Sequence, residues 1–303
     1  MAGFDASIYA NMGEMDNKGV DANLEYQTRI GNKVGLRLFG NLTYSKNKIV
    51  FRDEPAMQYA YQKSEGTRYG EFYGYIAEGY FQSEEEIKKS PRQMRELAPG
   101  DIKYKDLNDD GVIDANDQCY LGKSWFPSWS YGMGFNINYH NFDLALFFQG
   151  VSDVSIMANG GSIDTGNGDW GASGVGIVPF TGMGLNPSNV ITKALDRWTA
   201  DNPRADAWYP RMTANATTND NNYVNSTHWL KDGSYLRLKQ ASLGYTLENK
   251  KLMDKGIEYL YFYLSGQNLL TFSKFKLWDP ELGSNGAKYP LSRMVTLGMR
   301  VSF

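Results

Sequence analysis

The chain has 303 residues, of which 42% are hydrophobic and 21% charged, and a formal net charge of −3. No run approaches the roughly 18 apolar residues of a membrane helix, which excludes a helical membrane protein, and scattered basic residues leave no electrostatic footprint for nucleic acid. A single cysteine, Cys119, excludes an intrachain disulfide, and the two histidines, His140 and His228, lack partners at catalytic or zinc spacing, so no enzyme chemistry is expected.

The mean hydropathy of −0.50 resembles that of a soluble protein. A transmembrane barrel gives the same average, because its lumen-facing residues and loops dilute the lipid-facing half of each strand. The 21 Tyr, 7 Trp and 32 Gly suit interfacial aromatic girdles and a crowded barrel wall.

In chain order, residues 4 to 12 read as a strand end and Gly13 to Gly19 as a polar connection. From Val20 to Arg29, Val20, Ala22, Leu24 and Tyr26 alternate with Asp21, Asn23, Glu25 and Gln27. After a turn near Lys33, Val34, Leu36, Leu38, Leu42 and Tyr44 alternate with small or polar residues. Period-two alternation predicts strands with one apolar and one polar face. A polar excursion then runs from Lys46 to Phe126, with a short helix expected over Ser83 to Lys89 from its Ser83-x-x-Glu86 capping box.

The clearest hairpin follows. Trp129, Tyr131, Met133, Phe135, Ile137 and Tyr139 alternate with Ser, Gly and Asn, and after His140-Asn141 the pattern restarts at Phe142, Leu144, Leu146 and Phe148. Each arm reaches the 9 to 11 residues or so that a tilted transmembrane strand needs. A hairpin of a large soluble sandwich is the alternative.

A second excursion from Ser152 to Asp232 contains an expected helix from Pro187 to Thr199. Residues 234–247 and 257–267 make a third hairpin, whose apolar phase slips from Leu236 and Leu238 to Ala241, Leu243 and Tyr245, so a β-bulge is expected near Lys239-Gln240. The chain closes with Val295, Leu297, Met299, Val301 and Phe303 alternating against Thr296, Gly298, Arg300 and Ser302. Short connections lie within hairpins and long ones between them, which is the asymmetry of short periplasmic turns and long extracellular loops. On that count the C-terminus is periplasmic. A self-contained eight-stranded barrel serving as an anchor, adhesin or small enzyme is the rival reading. A soluble calcium-dependent binding protein is another.

Spacing also points to a metal. With Asp106 as the first position, Asn108, Asp110, Val112, Asp114 and Asp117 fall third, fifth, seventh, ninth and twelfth, with Gly111 sixth, as in an EF-hand calcium loop. The twelfth residue is Asp rather than Glu and no amphipathic helix flanks the loop. A structural Ca²⁺ is expected here, against the alternative of a solvated Asx-rich turn.

The run from Pro99-Gly100-Asp101 through Asp106-Leu107-Asn108-Asp109-Asp110-Gly111 to Asp114 resembles the SusC/RagA-type TonB-dependent outer-membrane transporters. So do Phe142-Asp143-Leu144 with Phe148-Gln149-Gly150, Leu195-Asp196-Arg197-Trp198-Thr199 with Asp201-Asn202-Pro203, Asp232-Gly233-Ser234-Tyr235-Leu236-Arg237 with Leu243-Gly244-Tyr245, and Ser265-Gly266-Gln267-Asn268-Leu269. The resemblance implies an all-β fold: residues 1–303 as the C-terminal strands of a 22-stranded transmembrane antiparallel β-barrel in the outer membrane, with long extracellular loops. The plug domain, the N-terminal strands and the TonB-gripped segment are expected on a longer protein, in keeping with the absence of a signal-peptide pattern at Met1-Ala2-Gly3-Phe4-Asp5. It also implies TonB-energised import of a glycan or peptide beneath a SusD-like surface lipoprotein. Trp125, Trp170 and Trp208 in the long loops are then candidates to stack on ligand, the alternative being a place in the interfacial belt or in loop packing.

Overall fold

The fold is taken from a computed structural model that describes residues 12–31, 33–159, 191–212, 221–286 and 288–303. Seven long strands form one antiparallel sheet in strictly sequential order. They are β1 (Gly13–Ile30), β2 (Val34–Arg52), β3 (Trp129–Tyr139), β4 (Phe142–Ser152), β5 (Tyr235–Leu247), β6 (Tyr259–Ser273) and β7 (Met294–Ser302).

Register shows why the alternation matters. Residues directly opposite one another share a face, and one such row runs Tyr26, Leu38, Phe135, Leu146, Ala241 and Gly266 to Val295 across all seven strands. Leu36, Ile137, Leu144, Leu243, Leu264 and Leu297 form the next row on that face. The opposite face carries Glu25, Arg37, Asn136, Asp143, Tyr261 and Arg300. The expected bulge is present. Lys239 is the extra residue between Leu238, opposite Phe148, and Gln240, opposite Phe147, and it returns Ala241 to the apolar face.

Among the described residues no second sheet covers that apolar face. Leu297 is 80% exposed, Leu24 76% and Val295 70%, so the sandwich alternative fails: an antiparallel sheet in water would bury such a surface. Trp129 and Tyr139 bracket the apolar part of β3, ten residues apart; at about 3.3 Å per residue and a tilt near 40° they would bracket a band of about 25 Å, the apolar height of an outer-membrane barrel. At the loop end Trp129 lies against Tyr44 at 4.4 Å between ring centroids, and at the turn end Phe142 lies against Tyr245 at 4.6 Å. Aromatic pairs thus mark both ends of the apolar band.

The eight-stranded closed barrel is not what this sheet forms. Among the described residues β1 and β7 each pair on one side only. The first hairpin is also longer than its sequence pattern suggests, because Gly13–Gly19, read as a connection, is strand and pairs with Ser45–Arg52. Once a strand leaves lipid, neither face must be apolar, and alternation stops marking its limits. The strand end expected over 4–12 lies, apart from Met12, outside the described residues.

The helix at Ser83 forms as α1 (Glu84–Lys89), with Ser83 Oγ accepting from the Glu86 N–H. The Glu86 carboxylate reaches back to the N–H of Gln82, one residue earlier than a standard box. The expected helix Pro187–Thr199 does not form as written. Its first part lies outside the described residues, and the remainder is a single 3₁₀ turn, Thr192–Leu195, after which Arg197 and Thr199 make bridges to Tyr209 and Asn202. Tertiary burial of Trp198, whose N–H bonds the carbonyl of Tyr209, overrides the local pattern.

Candidate functional site: the loop end of the sheet

All three long connections, 53–128, 153–234 and 274–293, leave the same end of the sheet. They fold together. Tyr75, Tyr80, Ile102 and Tyr104 of the first pack with Met157, Trp198, Tyr209 and Trp229 of the second in one core. Tyr75 and Ser226 make an isolated bridge, with the Thr227 N–H donating to the Tyr75 carbonyl.

A polar network built on the buried Asp101, Gln93, Asn221 and Asn222 joins the same two loops. The Asp101 carboxylate accepts from Asn222 Nδ2 at 2.7 Å, from the Ala98 N–H at 2.9 Å and from Arg211 Nη2 at 2.9 Å. Asn222 Oδ1 in turn accepts from the Ile102 N–H, and Tyr104 OH donates to the Asn221 carbonyl at 2.6 Å. Gln93 bridges them, donating to Asn221 Oδ1 and accepting from the Tyr104 N–H. Nearly every polar atom of the cluster is satisfied, which specifies a single loop arrangement. His228 sits beside this core, within reach of Tyr80 OH and the Trp208 carbonyl. Burial, helped by Lys231, pushes its pKa down to about 4 and keeps the imidazole neutral.

The third loop is pinned to the polar face. Arg237, 1% exposed on β5, donates to Asp279 at 2.6 Å and approaches Glu281 at 3.4 Å, while Asp279 caps the 3₁₀ turn Pro280–Leu282. In sequence, Arg237 is one polar residue in an alternating strand; nothing announces its burial.

Of the cavities among these loops, two are lined by predicted tryptophans. One of about 400 Å³ is lined by Trp125, Gln149, Tyr235, Glu281 and Lys288, so it lies over the polar face of the sheet. The other, of about 630 Å³, is lined by Trp208, Lys193, Lys231, Lys274 and Phe275. The structure thus separates the predicted tryptophans. Trp125 is 46% exposed and edge-on to Phe126. Trp208 is half-buried, edge-on to Trp229 with ring centroids 5.4 Å apart, and shows only part of its surface to the second cavity. Trp170 lies outside the described residues.

The Asx-rich loop is folded on its own side chains. Asp106 Oδ2 accepts from the Gly111 N–H at 2.8 Å, Asp110 Oδ1 from Val112 N–H, and Asn108 Oδ1 from Asp110 N–H. Asp109 and Gly111 take positive φ at the turn. Asp114 caps the 3₁₀ turn Ala115–Asp117, and the buried Asp117 carboxylate accepts from the N–H groups of Leu107 and Asp114. Among the described residues no three Asp, Glu, His or Cys side chains converge as a ready metal cage. Asp106 Oδ1 is buried and has no hydrogen-bond partner.

No family model matches the chain. It is 26% identical over 326 residues to TonB-dependent receptor P3 of Formosa agariphila, covering 98% of this chain and 30% of that protein. Its identity to TonB-dependent receptor P26 of the same organism is 28% over 327 residues, covering 99% and 30%. Among solved structures, the RagAB peptide transporter superposes with a TM-score of 0.68 at 22% identity, covering 98% of this chain and 30% of that one. The open-open state of the RagAB peptide importer gives 0.67 at 22%, covering 96% and 29%. The chain therefore spans about three tenths of the length of the proteins it matches, and its sheet has the fold of strands in a TonB-dependent barrel transporter. The names of these relatives describe receptors and a transporter rather than enzymes.

Proposed function

We propose that this relative of the TonB-dependent receptors supplies seven adjacent strands to an outer-membrane barrel importing nutrients, glycan or peptide, with energy from TonB. The observation that carries the reading is the unbroken apolar face in register across all seven strands, opposite a polar face. An open edge cannot sit in lipid with its N–H and C=O groups unpaired, so β1 and β7 must meet further strands. The short turns face the periplasm and the three loops the outside. The ligand enters between those loops and a SusD-like surface lipoprotein, and Trp125 stacks on it above the lumen.

The test is uptake of labelled oligosaccharide and oligopeptide by cells carrying the intact receptor, with and without TonB. Trp125→Ala should weaken ligand binding by roughly 1 kcal/mol, about fivefold in Kd, with the barrel still assembled. TonB-independent uptake would overturn the transport reading, and unchanged affinity would remove Trp125 from it.

The unpaired Asp106 Oδ1 favours a structural Ca²⁺ in the Asx-rich loop. Asp106, Asn108, Asp110, Asp114 and Asp117, with the Val112 carbonyl, would be its ligands, since oxygens that accept one hydrogen bond keep a further lone pair. Calorimetry on the intact receptor should lose one calcium per molecule in Asp106→Ala/Asp110→Ala. Unchanged stoichiometry would eliminate the site.

A further inference from the structure

The 630 Å³ cavity beside Trp208 is unlike the other in its charge and its place. Lys193, Lys231, Lys274 and Lys276 line it, and its two carboxylates, Asp196 and Asp232, do not balance them. Asp196 already pairs with both Lys193, at 2.8 Å, and Arg204, while Asp232 is 3.9 Å from Lys274. Lys231 has no carboxylate partner among the described residues; its ammonium donates to the His228 carbonyl at 2.6 Å and lies 5.3 Å over the Trp208 ring. Lys276 is exposed and has no carboxylate partner among the described residues. Burial, followed by the nearby Lys193, lowers the Lys231 pKa.

Its place is set by β6. Leu270 and Phe272 are opposite Leu238 and Leu236, on the face that carries Phe148, and are 51% and 56% exposed. Lys274 is two residues beyond Phe272 and 88% exposed. The lysines therefore begin where the outward apolar wall ends, on the loop side. Leu195, 76% exposed, also lines the cavity and gives it an apolar lip. An ammonium cluster above an apolar wall fits an amphiphile with an anionic head and acyl chains alongside Leu270 and Phe272.

We propose that this cavity binds the anionic, phosphate-bearing headgroup of an outer-leaflet lipid, with the acyl chains lying on the wall formed by Leu270 and Phe272. The assignment rests on the barrel reading above. A bound headgroup would tie the second and third loops to the membrane surface, since Lys193 and Lys231 belong to one and Lys274 and Lys276 to the other.

The test uses the intact receptor reconstituted into phosphatidylcholine vesicles with and without lipid A, reading lipid A retained after extraction. Lys274→Gln and Lys276→Gln are exposed changes, and each should weaken retention roughly fivefold. Heat-modifiable mobility on gels reports assembly separately. Retention unchanged in the double variant would overturn the site. Release of lipid A by inorganic phosphate alone, as complete as by excess lipid A, would assign the cavity to soluble anions and overturn the lipid assignment. Failure of the barrel reading would look different, as no insertion into either vesicle; failure of this inference alone would leave insertion normal and retention indifferent to the lysines.

Discussion

Arginine in place of Leu297 should weaken insertion of the intact barrel by about 2 to 4 kcal/mol, whereas arginine in place of Thr296 should be tolerated. Leu297 lies near the middle of β7, opposite Leu264, on the face that no described residue covers, and is 80% exposed. A guanidinium there faces hydrocarbon. Thr296 is opposite Ser265, on the face that carries Arg300, whose guanidinium lies 5.8 Å from the centre of the Tyr261 ring. Charge already belongs on that side: Arg37 and Glu25 pair at 2.7 Å, and Tyr261 OH donates to Asp143 at 2.9 Å. Folding into vesicles across a urea series measures the difference. Equal losses for the two substitutions would mean that the faces are not lipid and lumen.

The membrane faces were legible because period-two alternation repeats over nine or more residues per strand and a one-residue slip would invert it. Even the bulge at Lys239 was written in that pattern, as a change of phase from Leu238 to Ala241. Legibility ends where lipid would end. Gly13–Gly19 pairs as strand with polar residues on both faces, so nothing in its composition separates strand from loop, and in its partner Lys46–Arg52 the run Ile49-Val50-Phe51 breaks the alternation of β2. The loop core was illegible for a different reason. Trp198 leaves its helical pattern because its indole is buried across the module, under the backbone at Gly100. The lysine cavity joins residues 193, 231 and 274, none conspicuous alone. The Asx-rich loop shows both limits at once: its spacing was visible, but the use of Asp117 as an acceptor for two backbone N–H groups was not.

The loop module should depend most on Asp101, and Asp101→Ala should cost it about 3 kcal/mol. Asp101 is wholly buried, and its partner Asn222 is 121 residues away in the chain. Removing the carboxylate strands the Asn222 amide and the Ala98 N–H inside the module and deprives Arg211 of its only ion pair among the described residues. Breaking a buried pair from one side costs about 3 to 5 kcal/mol. The lower end applies because the Arg211 side chain is 23% exposed and can rehydrate. Asp101→Asn keeps an acceptor for Asn222 but loses the charge that holds Arg211, so its loss should be about half as large. Among the described residues none of the network's hydrogen bonds reaches β1 to β7, so the barrel should keep its heat-modifiable mobility while limited proteolysis opens the loops between Lys63 and Trp229. Loops as protease-resistant in Asp101→Ala as in the native receptor would show that the apolar core of Tyr104, Tyr209 and Trp229 holds the module without the polar clasp.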